Sequence, residues 1–414
     1  MEIQEIITIT IVLSAVFAYV NHRLLKWPPT VGIMAISLVI CIILLTFGSK
    51  SFISVKAIQL ATSVDFQNVL MNFMLSFLLF AGAIHIDLAK LKKERWPVLL
   101  LATLGILIST FLVGGAVCYL FKLFGSPIPF IYCLLFGSLI SPTDPIAVLA
   151  ILKEAKIPES LEIKISGESL FNDGVAVVIF ITIAEIAGTG TEHFSLLATG
   201  KLFLQEAGGG LAFGALLGYI GFWALRSVDD YKVELLITLA VVMGGYYTAG
   251  ELHISGPLAM VVAGLITGNK VKAEAMSDIS RDYVGKFWEL IDEVLNAILF
   301  MLIGLEMLII KIDKSTLIIG FICIIITLFA RWVSVIFPVV LLKWNKIAFE
   351  KNAVAILTWG GLRGGLSVAM ALSLSTEMHR DEFVLITYMI VVFSIIVQGL
   401  TIGKIARRLQ GANG

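Results

Sequence analysis

Five ionisable side chains lie inside long apolar segments of this 414-residue chain. An ionised group at membrane depth costs free energy, so it normally faces a group of opposite charge or a water-filled cavity. Such residues usually mark the route of an ion or a proton. The residues that indicate this pathway are Asp144, Glu168, Asp173, Arg331 and Arg363.

Two of these acids share one segment with polar neighbours at helical spacing. Residues 166–174 read Ser-Gly-Glu-Ser-Leu-Phe-Asn-Asp-Gly. Because residues four apart share a helix face, a helix here places Ser169 beside Asp173 and Glu168 beside Asn172. The segment is therefore expected to present a carboxylate and a hydroxyl together.

Two apolar segments carry residues that interrupt a helix. Residues 141–145 read Ser-Pro-Thr-Asp-Pro, and proline removes a backbone donor and clashes with the preceding turn. Residues 360–365 read Gly-Gly-Leu-Arg-Gly-Gly, and glycine lowers the cost of leaving helical geometry. We expect both helices to break in the middle of the membrane, next to Asp144 and Arg363.

The polar groups around the first break suit a small hard cation. Cations such as Na⁺ and Li⁺ prefer oxygen ligands, as other hard cations do. The candidate cation- and proton-binding residues are Asp173, Asp144, Ser169 and Thr143, joined by backbone carbonyls freed at the break. Desolvation disfavours a charged carboxyl, so Asp173 is expected to hold a proton at low pH and exchange it for a cation at higher pH. If reorientation requires a bound ligand, exchange is obligatory.

The remaining polar residues of these segments are expected to support the site. They are Asn172, Glu168, Arg331 and Arg363. Each arginine neutralises either Glu168 or the carbonyl end of a broken helix, and the sequence leaves that pairing open. A buried pair of this kind is often only structural.

The elements that position these residues are membrane-spanning helices. The chain is 58% hydrophobic and 14% charged, with a mean hydropathy of +0.98, whereas a soluble domain is roughly 25% charged. Apolar runs of roughly 20 residues span a bilayer. These runs lie near 5–22, 28–47, 68–86, 97–121, 128–152, 163–187, 200–225, 233–250, 255–268, 295–310, 315–342, 352–374 and 383–403. The sequence predicts an all-α polytopic membrane protein with about 13 transmembrane helices.

The two interrupted runs are the fifth and the twelfth, which suggests an internal repeat. If the seventh helix separates two six-helix units, each broken helix is the fifth helix of its unit. Corresponding helices are then seven apart, and because seven is odd, the second unit has inverted topology in the membrane. Broken helices at corresponding positions of inverted repeats point to a transport site at the midplane.

The loops predict an orientation. Most of the 30 lysine and arginine residues fall in alternate loops. By the positive-inside rule, we expect a protein of the cell (inner) membrane with its amino terminus outside and its carboxyl terminus on the cytoplasmic side. The first run lacks a basic segment before it and a cleavage site after it, so we expect it to remain as a span. The longest polar connections are 48–67 and 269–294, and the second is expected to form an amphipathic helix on the cytoplasmic interface.

On these residues the sequence resembles the monovalent cation/proton antiporters of the NhaP and sodium/proton-exchanger type. The resemblance spans essentially the whole chain. It is carried by Thr143-Asp144-Pro145, Glu168-Ser169, Asn172-Asp173, Phe329-Ala330-Arg331 and Gly361-Leu362-Arg363-Gly364.

The resemblance implies roles for particular residues. Asp173 would be the acid that binds the ion and the proton, Thr143, Asp144 and Ser169 its co-ligands at a sodium site, and Glu168 and Arg331 a structural ion pair. It also implies a homodimer in which a translocating core, 97–187 and 315–403, moves against a dimerisation scaffold, 1–96 and 200–310.

Two features bear on mechanism within that family. Electrogenic relatives have two adjacent aspartates where this chain has Asn172-Asp173, so the resemblance implies electroneutral exchange of one cation for one proton. Some relatives carry a carboxylate in the third helix, where this chain has Leu78-Leu79-Phe80-Ala81. A cation contact from that helix is therefore not expected.

Other functions fit these residues less well or leave the transported ion open. An intramembrane aspartyl protease is disfavoured because Asp173 precedes Gly174 rather than following a glycine, so no enzyme activity is expected. Proton-coupled transport of an organic anion is permitted by Arg363 but opposed by the two acids. Exchange of K⁺ instead of Na⁺ stays open, because ion choice depends on cavity size. No cofactor is expected beyond the transported Na⁺ or Li⁺ and H⁺, and no nucleic-acid partner.

Overall fold

The computed structural model describes residues 2–47, 52–144, 146–189, 196–271, 274–347 and 349–411. Within these ranges every regular element is a helix, and the only strand-like feature is one isolated bridge between two extended segments. The predicted all-α polytopic class is confirmed. The count of about 13 spans and the inverted repeat stay predictions.

Nine helices of the described ranges are long and apolar enough to cross a membrane. They are α1 Gln4–Leu25, α2 Pro29–Thr46, α4 Phe66–Ile84, α6 Arg95–Leu123, α9 Glu159–Gly188, α10 Thr199–Arg226, α11 Tyr231–Glu251, α14 Lys314–Trp344 and α17 Arg380–Leu409. This number makes the chain a multi-pass membrane protein.

Shorter helices complete the described fold. In chain order they are α3 Phe52–Ser63, α5 Leu88–Lys93, α7 Phe130–Ile140, α8 Ile146–Glu154, α12 Gly256–Val271, α13 Asp278–Glu306, α15 Ala353–Trp359 and α16 Gly365–Leu372. The pairs α7/α8 and α15/α16 are the interrupted helices that the sequence predicts. Pro145, in the first break, lies outside the described residues.

Two predicted connections are corrected by the structure. Most of the polar connection predicted at 48–67 is a helix, α3, because apolar residues such as Ala57, Leu60 and Ala61 recur at spacings of three and four. The interfacial helix predicted within 269–294 and the span predicted at 295–310 are one continuous 29-residue helix, α13. Neither glycine nor proline separates the two parts, so no residue there stops the helix.

The helices pack in two groups. Helix α13 packs on α1, α2 and α4, and α12 packs on α4 and α10. In the other group α6 packs on α7 and α14, and α17 packs on α14 and α16. Helix α9, which carries Asp173, contacts α7 in the second group and α12 in the first. The predicted site therefore lies where the two groups meet.

Candidate functional site at the crossing of two broken helices

The two interrupted helices cross at their extended segments. Helix α7 ends at Ile140, and the chain leaves the helix over residues 141–144. Helix α15 ends at Trp359, and α16 begins at Gly365. The backbone N–H of Asp144 donates to the carbonyl of Leu362 at 2.8 Å. This bond fixes the first break against the second.

Glycines in the second break make the crossing this close. A Cβ atom at Gly364 would lie 2.6 Å from Oδ2 of Asp144 and 2.7 Å from its Cβ. A Cβ atom at Gly361 would lie 2.5 Å from Nε of Arg331. Glycine is therefore needed at both positions for close approach as well as for the break itself.

Arg363 neutralises the carbonyl end of the first broken helix. Its guanidinium group is buried, and Nη1 donates to the carbonyl oxygens of Ser141 and Pro142, the latter at 2.9 Å. The free carbonyls at a helix C-terminus carry partial negative charge, which a cation stabilises. Its backbone N–H donates to Oγ of Ser394 at 2.9 Å. Of the two partners left open by the sequence, Arg363 takes the helix end.

Arg331 contacts both the carboxylate of Glu168 and a backbone carbonyl at the end of a broken helix. Its Nη1 and Nη2 atoms lie 2.5 and 3.1 Å from the two carboxylate oxygens of Glu168. Nε and Nη2 also donate to the carbonyl of Leu357, near the end of α15, at 3.2 and 3.1 Å. Glu168 is 1% exposed and Arg331 6% exposed. This bidentate pair ties α9 and α14 to the second broken helix.

Thr143 connects the first break to α9. The hydroxyl of Ser169 donates to the backbone carbonyl of Thr143. Nδ2 of Asn172 donates to Oγ1 of Thr143 at 2.8 Å. Asn172 is fully buried, so its amide holds the Thr143 side chain in one orientation. The carbonyl and the hydroxyl of Thr143 are both oriented by α9.

The four predicted ligand residues line a single cavity of about 490 Å³. Thr143, Asp144, Ser169 and Asp173 all contribute to its wall. Asp144 and Asp173 are half-buried, whereas Thr143 and Ser169 are buried. The arrangement offers two carboxylates and two hydroxyls to a cation or a proton.

The cavity reaches the surface between pairs of charged residues. Lys90 forms a salt bridge with Glu159, and Lys153 lies 3.1 Å from Glu162. All four residues line the cavity, and Lys90, Lys153 and Glu159 are exposed. They lie in or beside α5, α8 and the start of α9, in basic connections that the positive-inside rule predicts to be cytoplasmic. The mouth therefore lies on the predicted cytoplasmic side.

Comparison with known proteins assigns the family. The family described as "Sodium/hydrogen exchanger, transmembrane" matches residues 11–408. The chain belongs to this exchanger family. It is a family of transporters and not of enzymes.

Individual relatives of this exchanger agree with that assignment. The chain is 48% identical over 410 residues to the Na(+)/H(+) antiporter NhaP of Pseudomonas aeruginosa, covering 98% of this chain and 96% of that protein. It is 33% identical over 399 residues to the Na(+)/H(+) antiporter NhaH of Halobacillus aidingensis, covering 94% and 93%. The fold is similar to the sodium proton antiporter MjNhaP1 from Methanocaldococcus jannaschii, with a TM-score of 0.77, 20% identity and coverage of 99% and 100%.

The cavity wall also contains polar residues that the sequence does not identify as ligands. Asp292 and Asn296 line the cavity from α13. Their spacing of four residues on one helix face was the available signal. This spacing is not visible as one helix face when residues 269–294 and 295–310 are predicted as separate helices.

The segment at residues 78–81, which lacks the carboxylate that some relatives carry, lies in α4. Leu78, Leu79 and Ala81 of α4 line the cavity. This wall is apolar, as the sequence predicts, so the polar ligands of the cavity come from other helices.

A second buried charge cluster lies outside the cavity. Nζ of Lys164, which is 1% exposed, lies 3.1 Å from Oε2 of Glu94 and 2.8 Å from Oε1 of Glu350. Ser160 also donates to Glu350. Burial alone would raise the pKa of Glu350, but hydrogen bonds from Lys164 and Ser160 outweigh it and hold that pKa below its ordinary value. The cluster joins α9 to the end of α5 and to the connection between α14 and α15.

Proposed function

We propose that this protein is a sodium (or lithium)/proton antiporter in which the cation and the proton compete for Asp173. The relatives named as Na(+)/H(+) antiporters support the exchanged ions. The observation that carries the proposal is the convergence of Thr143, Asp144, Ser169 and Asp173 on one cavity at the crossing of two broken helices. The carboxylate and hydroxyl oxygens of these residues can bind either a proton or a hard cation.

The competition follows from the position of Asp173. An uncompensated carboxylate is disfavoured in a partly dehydrated site, so either a proton or a cation must neutralise it. The cation gains ligands from the Ser169 and Thr143 oxygens and from Asp144. Because one carboxylate serves both ligands, occupancy by one excludes the other. Transport by alternating access with a bound ligand then gives obligatory exchange.

Electroneutral one-for-one exchange follows from the surroundings of Asp173. Asn172 carries no titratable group, and its amide is engaged with Thr143. If Asp144 stays ionised throughout, the site gains one positive charge with either ligand. The two half-cycles then move equal charge in opposite directions.

The moving parts in this proposal are the two packing groups. The core comprises 97–187 and 315–403, and the scaffold comprises 1–96 and 200–310 and holds a homodimer together. The preference of α13 for α1, α2 and α4, and of α14 for α6 and α17, supports this division. With the amino terminus outside and the carboxyl terminus in the cytoplasm of the cell membrane, the cavity corresponds to an inward-open state.

Two alternative substrates receive different support. Arg363 is engaged by the carbonyls of Ser141 and Pro142, which disfavours a role in binding an organic anion. Potassium stays a serious alternative, since a cavity of about 490 Å³ accommodates either cation. Selection between Na⁺ and K⁺ depends on how closely the ligands approach in the loaded state.

The proposal is tested in proteoliposomes with an enclosed pH-sensitive dye. Na⁺, Li⁺, K⁺ and an organic anion are supplied in turn, and dequenching reports proton flux. We expect Na⁺ and Li⁺ to drive flux in the wild type and not in Asp173→Asn, which keeps the shape but cannot alternate between protonated and charged forms. Glu185→Gln, an exposed position on the same helix, is the matched control. Flux near the wild-type level in Asp173→Asn would refute the assignment.

A further inference from the structure

Helix α13 presents a stripe of residues to the cavity and the crossing. Asp292, Asn296 and Leu299 line the cavity. One turn further along, Ile303 and Leu299 surround the start of α16, since a Cβ atom at Gly365 would lie 2.7 Å from Leu299 Cδ1 and 3.1 Å from Ile303 Cδ1. Spacings of three and four residues keep the stripe on one face. Its polar end faces the cavity, and its apolar end packs on α16.

At the polar end of the stripe, one buried side-chain oxygen lacks a hydrogen-bond donor among the described residues. Asn296 is 3% exposed, and its Nδ2 donates to the backbone carbonyl of Asp292 at 2.8 Å. Its Oδ1 atom finds no hydrogen-bond donor among the described residues. A buried acceptor without a partner costs free energy, so such atoms usually have a ligand or water. This oxygen belongs to a residue of the cavity wall.

The charge of Asp292 is also uncompensated by protein cations. No lysine or arginine of the described ranges forms a salt bridge with it, and the acid Asp144 lines the same cavity. The acids at the mouth differ, because Glu159 and Glu162 are paired with lysines. A cleft lined by one sign of charge raises the local concentration of the opposite ion. In its ionised form, Asp292 therefore adds net negative charge between the mouth and the crossing.

We propose that Asp292, with Asn296 beside it, is a recruitment site that holds the hydrated cation in the cavity before Asp173 binds it. The inference rests on the proposed function and adds a residue on the scaffold side of the path. Because Asp292 acts before the transport step, it sets the apparent affinity for the cation. Turnover, which follows binding at Asp173, is independent of it.

The test measures initial exchange rates against Na⁺ concentration for the wild type, Asp292→Asn, Asp292→Glu and Glu293→Gln. Glu293 is the matched control, an exposed acid on the same helix that does not line the cavity. In Asp292→Asn we expect KM to rise by about three- to tenfold at low ionic strength, with kcat unchanged. Asp292→Glu keeps the wild-type KM, and choline chloride shrinks the difference by screening.

The outcomes separate this inference from the proposed function. A wild type that exchanges no Na⁺ for H⁺ defeats the proposed function itself. An active wild type with an unshifted KM in Asp292→Asn, or an equal shift in Glu293→Gln, overturns the recruitment site alone. A fall in kcat at constant KM also overturns it, because that result indicates a structural role.

A cysteine variant makes the test independent of how Asp292→Asn folds. Asp292→Cys is reacted with a methanethiosulfonate that adds either a sulfonate or a trimethylammonium group to the same protein. We expect a lower KM with the sulfonate than with the trimethylammonium. The wild type, whose native thiols are Cys41, Cys118, Cys133 and Cys323, is treated in parallel and stays unchanged. Equal KM values for the two adducts overturn the proposal.

Discussion

The N–H of Asp144 donates to the carbonyl of Leu362 at 2.8 Å, which ties together two breaks more than 200 residues apart in sequence. Arg363, next to Leu362, reaches the carbonyls before Asp144, so the two breaks satisfy each other's backbone groups. Freed backbone groups at membrane depth need such partners, because lipid offers none.

Substitution of Gly364 by alanine is expected to impair exchange strongly. The added Cβ would lie 2.6 Å from Oδ2 of Asp144, so the carboxylate or the crossing must shift. A displacement of about 1 Å at a working site typically costs about 100-fold in rate, and we expect at least a tenfold loss. The measurement is the initial Na⁺-driven proton flux in proteoliposomes.

Gly115→Ala is the control for this substitution. Gly115 lies in α6, and a Cβ atom there meets nothing within 4 Å. Its exchange rate is expected to match the wild type. If Gly364→Ala retained full flux, the close contact with Asp144 would not be required for transport.

Removal of either member of the Glu168–Arg331 pair is expected to destabilise the protein. Glu168→Gln leaves the buried guanidinium without its counter-charge, and an orphaned buried charge costs roughly 3–5 kcal/mol. Arg331→Gln orphans the carboxylate and also leaves the carbonyl of Leu357 without its donor. Thermal melting of the purified protein is expected to show lower midpoints for both variants.

A double variant and an exposed pair complete that test. Changing both residues should cost less than the sum of the single changes, since they interact directly. Lys286→Gln removes a pair with Asp282 that is 71% and 59% exposed, and such surface pairs contribute little to stability. If the stability losses of the Glu168 and Arg331 single variants simply added up in the double variant, these two residues would not act as a pair.

The sequence predicted the parts of the site that local chemistry determines. Charged residues in apolar segments, proline and glycine at the breaks, and the four-residue spacing of Ser169 and Asp173 all act within a few residues. These rules located the cavity-lining residues Thr143 and Asp144 before any tertiary contact was known. The family resemblance added the expected pairing of Glu168 with Arg331.

Tertiary packing determined what the sequence left open or misplaced. The partner of Arg363 depends on where α7 ends in space, more than 200 residues earlier in the chain. The polar face that carries Asp292 indicates an interfacial helix, whereas packing places this residue in the cavity wall. The Lys164 cluster combines Glu94 and Glu350, whose distance along the chain hides any pattern.

Stability is expected to depend on pH through Glu350. Its pKa is lowered in the folded protein, so its contribution is present above the ordinary value of 4.5 and is lost as the pH falls through the folded value. The melting temperature of the wild type should therefore fall more steeply than that of Glu350→Gln when the pH is lowered from about 6 to about 4. Glu154→Gln, at an exposed position on the same predicted side, should follow the wild type. Parallel curves for the wild type and Glu350→Gln would contradict the role given to this cluster.

Exchange is expected to be independent of membrane potential. Asn172 cannot titrate, and with Asp144 ionised throughout, loading by Na⁺ or by H⁺ adds the same charge to the site. The Na⁺ gradient that balances a given pH gradient should then be the same at every voltage. Proteoliposomes clamped with K⁺ and valinomycin at zero and at negative potential allow initial rates and the reversal point to be compared. Asp173→Asn vesicles, measured in parallel, give the leak to be subtracted. A reversal point that shifts with voltage would mean that a second proton is carried, with Asp144 as its site, and would replace one-for-one exchange by an electrogenic cycle.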